Sequence, residues 1–165
     1  MDFPIEVDGS APVLAHHEID IEAPLEAVWA LHTDVDGWPA WQTDIAAARL
    51  DGGAFAPGAS FDWTSSGFRV TSTIYVVSPA TRILWGGTAD GITGIHEWLF
   101  SETFEATRVV TNQSFAGAPV EADAAGMQSL LDGSLTSWLG PVRHSLCEKL
   151  IHSLCLLHIV LFSAE

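Results

Sequence analysis

WGGTADGITGIHEWLFSETFEATRVVTNQSFAG, residues 85–117, is the stretch on which the reading of this chain turns. It divides into three consecutive strand segments. A β-strand sends successive side chains to opposite faces. The middle segment therefore places His96, Trp98 and Phe100 on one face and Ile95, Glu97 and Leu99 on the other. A small antiparallel sheet rarely lines one face with histidine, tryptophan and phenylalanine only to fill a core. A concave pocket for an aromatic or apolar small molecule accounts for the pattern better.

Working outward from that segment, residues 68–77 (FRVTSTIYVV) carry the strongest strand signal, rich in β-branched and aromatic residues. Further strands are expected at 15–22, 45–51, 59–65, 82–88, 93–101 and 106–115. Between the first two, Pro24 opens a short helix over 24–33, striped by Leu25, Val28, Trp29 and Leu31-His32. Gly37 and Pro39 interrupt residues 34–42, leaving a second short helix or turn that presents Trp38 and Trp41. Residues 1–13 read as a loose lead-in. From Val120 the period becomes helical: Met127, Leu130, Leu131, Leu135, Trp138 and Leu139 form one face, and Gly140-Pro141 kinks or ends the helix. This order predicts an α+β fold in which a curved antiparallel seven-stranded sheet wraps around a long C-terminal helix. A bent sheet cannot lie flush on one helix, so a hollow is expected between them.

Composition narrows the function. Twenty-one acids against 6 bases give a net charge of −15, which disfavours nucleic acid and anionic membrane surfaces as partners. Mean hydropathy is +0.26 and there are seven tryptophans, which fits a cavity wall or an interface. The N-terminus lacks the basic and apolar blocks of a signal peptide. Cys147 and Cys155 on one helix would lie about 12 Å apart, too far to bridge. A cytoplasmic location is the resulting expectation. Walker, dinucleotide-binding, paired CxxC, HExxH and GxSxG patterns are all missing from the sequence. His144, Glu148 and His152, with Cys155 and His158 near, have the spacing of a helical zinc site, but helical histidines at such density are more often incidental, so neither a metal nor a cofactor is expected.

The segments IEAPLEAVWALHTDVDGWPAWQ, FDWTSSGFRVTSTIYVVSPATRILWGG, GIHEWLF and TRVVTNQSFAG, in this order, resemble the START-like helix-grip superfamily (SRPBCC), and within it the polyketide cyclase/dehydrase group. The resemblance covers about residues 15–140. It implies a hydrophobic pocket between sheet and C-terminal helix, and members range from aromatic polyketide cyclases to lipid carriers, receptors and co-chaperones. Sequences of this kind often carry Glu before the position of Ser114, where this chain has Gln113, a neutral amide in place of an acid or base. The tail from Leu146 onward has no counterpart in the resemblance. Residues 1–145 are accordingly read as a ligand-binding domain and 146–165 as an apolar helical tail. Its leucines must be buried somewhere, and a homodimer through the tail is favoured.

The candidate ligand-binding residues are Trp63, Arg69, Trp85, His96, Trp98, Phe100, Thr111, Gln113 and Trp138. His96 is the one candidate for proton transfer. On strand 68–77, Arg69, Thr71, Thr73 and Tyr75 share one face and Phe68, Val70, Ser72, Ile74 and Val76 the other. Arg69 anchors a ligand oxygen if its face is the inner one, whereas the usual exposure of charged residues places it outside. The expected function is binding of a hydrophobic or aromatic small molecule, with cyclisation, aromatisation or dehydration of a polyketide-like substrate as the chemistry of an enzyme. A non-catalytic carrier or sensor, or a co-chaperone-type interaction module, is the alternative.

Overall fold

The computed structural model describes residues 3–65 and 67–140. Seven antiparallel strands form one sheet in the order β1-β7-β6-β5-β4-β3-β2. They are β1 (Val13–Ile21), β2 (Ile45–Leu50), β3 (Ser60–Ser65), β4 (Phe68–Ser78), β5 (Arg82–Ala89), β6 (Ile92–Glu102) and β7 (Thr107–Ala116). Helix α1 (Leu25–Thr33) and a 3-10 turn (Val35–Ala40) lie between β1 and β2. The amides of Ala27 and Val28 bond to the carbonyl of Pro24, so α1 starts on the proline as expected.

Sheet curvature has a local cause. The β4–β5 register slips between Ile74 and Val76, and such a bulge bends a strand and reverses its side-chain parity. Ile74 is buried on the inner face, and past the bulge it is Val77 that packs against the same core. Plain alternation, which groups Val76 with Ile74, fails here, and a second slip lies between Ile45 and Ala47 of β2. Tyr75 instead lies over Gly86, where a Cβ would meet the Gly94 carbonyl and the tyrosine ring.

The expected single helix from Val120 is two. Helix α2 (Ala118–Ala122) ends at a turn, and residues 124–140 form α3. Asp123 separates them because its carboxylate accepts a bond from the Gly126 amide at 2.9 Å, as an N-cap does. Gly117, at φ +125°, opens α2 so close to Gly91 that an added Cβ would strike the Gly91 carbonyl oxygen. Gly117→Ala is expected to lower the stability by more than about 1 kcal/mol. Gly133→Ala, at a position with open space around it, should not lower it, and the two denaturant midpoints give the comparison.

Residues 3–8 are not a loose lead-in. They run across the outer face of the sheet: Phe3 packs on Tyr75 at 5.5 Å, Arg82 donates to the Ile5 carbonyl, and the Asp8 amide donates to Ser114 Oγ. On that face a ladder of polar side chains crosses four strands, from His16 to Asn112 (2.7 Å), from Asn112 to Glu97 (2.8 Å) and from Glu97 to Arg82 (2.7 Å).

The opposite, concave face carries the core. Ile21, Phe61, Ile74, Ile83, Trp85, Trp98, Phe100 and Val109 from the sheet meet Val28 and Leu31 of α1, Trp38 of the 3-10 turn, and Trp138 and Leu139 of α3. A second cluster joins Val13 and Ala15 of β1 to Val120, Leu131 and Leu135. No helix among the described residues is long and apolar enough to cross a membrane. The tail 146–165, with its expected dimer contact and its histidines, lies outside the described residues.

Candidate functional site

Register sets the inner-face geometry. His96 of β6 stands opposite Gln113 of β7 and Trp85 of β5, while Trp98 stands opposite Thr111 and Ile83. The period-two argument thus places His96, Trp98 and Phe100 on one concave face, and all three are buried, His96 at 1% and Trp98 at 0% exposure. His96 Nε2 and Thr111 Oγ1 share a hydrogen bond of 2.6 Å.

Around that bond lies a continuous stack of rings. His32 of α1 sits 4.3 Å from Trp98, His96 4.6 Å from Trp98 and Trp85 4.8 Å from His96, centroid to centroid. Trp138 of α3 closes the stack edge-on, 5.0 Å from Trp38 and 5.8 Å from both Trp41 and Trp98. Edge-to-face pairs at these spacings are favourable arrangements of the ring quadrupoles. Helix α3 is held over them by polar bonds: Gln42 Nε2 donates to the Ser137 carbonyl at 3.1 Å, and the Ser137 hydroxyl donates to Asp44.

Two expectations need correction. The hollow expected between sheet and helix is occupied by these rings, because α1 and the 3-10 turn bring His32 and Trp38 into the space that a single helix leaves. A cavity of about 300 Å³ lies elsewhere, lined by Glu22 to Leu25 and Glu102 to Thr107. Arg69 does not reach the interior. Its guanidinium is three-quarters exposed on the outer face and bonds Asp62 at 2.6 Å, and Thr71 donates to the same carboxylate. The bond from Thr71 first, and that from Arg69 second, hold the Asp62 carboxyl below its ordinary value. Arg69→Ala is expected to leave both the affinity for an apolar probe and the melting temperature nearly unchanged, since an exposed pair contributes little; fluorescence titration and a thermal melt check both.

Other expected residues divide by depth. Trp85, Phe100, Thr111, Gln113 and Trp138 are buried on the concave side. Trp63 is half-buried, its N–H donating to Ser72 Oγ at 3.0 Å while its ring stands edge-on to Trp85 at 5.9 Å. Sequence reasoning passed over His32, which it counted only as part of an apolar helical stripe. A histidine in the apolar face of a short helix was the available signal.

The interior is free of charge. The buried polar side chains are His32, Gln42, Ser72, His96, Thr107, Thr111, Gln113 and Ser114, with no acid, lysine or arginine among the described residues. Burial holds the His32 imidazole down to about 3 and pushes His96 well below 6.5, the latter also by its proximity to His32. Both are therefore neutral at physiological pH. Four buried side-chain atoms have no hydrogen-bond partner among the described residues: His32 Nε2 and the indole nitrogens of Trp41, Trp85 and Trp98.

A bent seven-stranded sheet closed by a C-terminal helix over a ring-lined, uncharged interior defines the helix-grip class of ligand-binding folds. A family model described as polyketide cyclase / dehydrase and lipid transport matches residues 12–140, and the chain belongs to that family. Among curated proteins nothing matches. Solved structures share the fold. A hypothetical protein of Helicobacter pylori superposes with a TM-score of 0.73 at 16% identity, covering 88% of this chain and 99% of its own. A START superfamily protein of Mycobacterium smegmatis gives 0.68 at 10% identity, over 82% and 97%. A di-domain ARO/CYC from the steffimycin biosynthetic pathway gives 0.68 at 13% identity, and the match spans 83% of this chain but only 52% of that one.

Proposed function

We propose that this protein binds a neutral, flat, hydrophobic small molecule between the concave face of the sheet and α3, among Trp85, His96, Trp98 and Trp138. The observation that carries this reading is the aromatic row on the inner face of the sheet, Trp85, His96 and Trp98 side by side with Trp138 of α3 edge-on to Trp98, in an interior whose buried polar side chains include no acid, lysine or arginine among the described residues. Entry requires the rings to part, and the polar bonds from Gln42 and Asp44 to Ser137 are where α3 would loosen. Family membership supports the reading, as does the solved neighbour described as a di-domain ARO/CYC from the steffimycin biosynthetic pathway.

A second reading, cyclisation of a polyketide-like substrate, is favoured by one observation, the His96–Thr111 hydrogen bond. His96 would take a proton from an activated carbon and return it to the new hydroxyl, while the rings hold the reacting carbons close. The low proton affinity of His96 in the closed interior makes it a weak base, which ranks binding ahead of turnover.

Quenching of tryptophan fluorescence by 9-fluorenone tests the proposal. Saturable quenching with a one-to-one endpoint is expected, and linear, non-saturating quenching would overturn it. His96→Ala separates the two readings: loss of affinity with no turnover of a poly-β-ketone in either protein supports a carrier, and retained affinity with abolished turnover supports a cyclase.

A further inference from the structure

We propose that the cavity at the foot of the β6–β7 turn is a docking site for an arginine-bearing basic segment of a partner protein. Phe104 offers the ring on which the guanidinium lies, and Glu22, Glu102 and Glu105 supply its counter-charges. The site is separate from the ring-lined interior and independent of the binding reading above. The cavity, of about 300 Å³, lies between residues 22–25, where β1 passes into α1, and residues 102–107, where β6 turns into β7. Its two walls are fixed to each other, because Thr107 Oγ1 donates to the Ala23 carbonyl at 2.7 Å in a buried bond. The Thr103 amide and hydroxyl close the turn by donating to the Ala106 carbonyl at 2.8 and 2.9 Å. That closure leaves Phe104 and Glu105 at the tip.

A single exposed ring on a protein surface needs no special cause. Phe104, 98% exposed, differs in bordering a preformed cavity whose acids are unpaired. Glu22, Glu102 and Glu105 make no ion pair among the described residues, whereas Asp20, Asp62 and Glu97 are matched by Arg108, Arg69 and Arg82. No basic side chain lines the cavity among the described residues. The adjacent Arg108 is held by both oxygens of Asp20, at 2.8 and 2.9 Å. The first turn of α1 also opens here, and Glu26 meets its partial positive charge.

Arginine suits this combination better than lysine. A planar guanidinium stacks on an aromatic face and still offers donors in its plane to carboxylates. A cavity of this size receives one or two side chains, not the roughly 20–30 residues a side of a standard interface, which points to a short segment. A second copy of this chain is opposed by a charge of −15 on each, and an anionic membrane is opposed for the same reason.

The experiment titrates the ¹⁵N-labelled full chain, at low ionic strength, with the acetylated and amidated pentapeptide GRLRG and with its citrulline counterpart, which has the same shape and no charge. The arginine peptide should shift the amides of residues 102–107 saturably, and the citrulline peptide should bind about fivefold more weakly. Phe104→Ala should weaken binding about three- to fivefold without unfolding the protein, since its ring is almost wholly in water. The double variant Glu102→Gln/Glu105→Gln should weaken it about fivefold. Glu121→Gln removes one charge from α2, at the opposite end of β6. It should change the affinity by less than about 1.5-fold, which separates a local site from the general attraction of an acidic protein. Absence of binding, shifts spread over the whole surface, equal losses in Glu121→Gln and the double variant, or equal affinity for the citrulline peptide would each overturn the inference. Co-sedimentation with phosphatidylcholine vesicles that Phe104→Ala abolishes would assign the ring to a lipid surface instead. Concentration-dependent shifts of the same amides in the protein alone would assign it to a second copy. Either result overturns the arginine reading as well.

Discussion

Lowering the pH from 7.5 to 5 is expected to cost the fold about 2 kcal/mol through His32 alone, with a further loss from His96. His32 takes a proton near 6.5 in the unfolded chain but only near 3 in the folded one. Above 6.5 the group is neutral in both states and contributes no pH dependence. As the pH falls below 6.5 the unfolded state binds protons that the folded state refuses, so stability declines until the pH reaches the folded value, near 3. His96 acts in the same direction, since burial also pushes its imidazole well below 6.5. The surface carboxylates held below 3.8 by their partners, Asp8, Asp20 and Asp62, weaken the fold only at lower pH. Acidification also relieves the repulsion within a chain of charge −15, an opposing effect shared by any variant. Denaturant titration of wild type and His32→Phe at both pH values isolates the histidine contribution. The variant, which keeps a ring among Trp38, Trp98 and Trp138, should lose less stability on acidification. Parallel losses in the two proteins would refute the assignment.

Trp98→Ala is expected to destabilise the protein by about 3–5 kcal/mol, the usual cost of removing a large buried aromatic side chain. Trp98 is fully buried, and its ring is in contact with His32, His96 and Trp138, from three different elements. Removing it takes away the piece on which α1, β6 and α3 converge, and the collapse of three elements onto the void is sterically restricted. Phe104→Ala is the matched control. At 98% exposure its ring supports nothing, and a change within about 0.5 kcal/mol is expected. Equilibrium unfolding in urea measures both. A Trp98→Ala loss no larger than that of Phe104→Ala would mean that the ring stack is not the structural centre of the fold.

Both predictions depend on residues that the sequence made legible to different degrees. Alternation along 95–100 placed His96, Trp98 and Phe100 together, because strand parity is a local geometric property that holds wherever no bulge intervenes. It failed at Val76, where the slip between Ile74 and Val76 arises from how two strands pair and has no signature in either alone. Arg69 followed the ordinary preference of a charged group for water and found Asp62 across the strand pair. His32 was hidden because α1 is nine residues long and the depth of each of its faces depends on what packs against it.

The sequence by itself determined the order of the strands, the α+β class and the inward face of β6, since these rest on turn residues, proline and glycine, and the two-residue period. Tertiary structure alone decided that α1 and the 3-10 turn fill the concavity with His32 and Trp38, that residues 3–8 cover the outer face, and that the Gln42 side-chain N–H finds the Ser137 carbonyl. Such outcomes depend on distances between segments far apart in the chain. Whether a buried N–H is satisfied is settled only when every neighbouring element has taken its place.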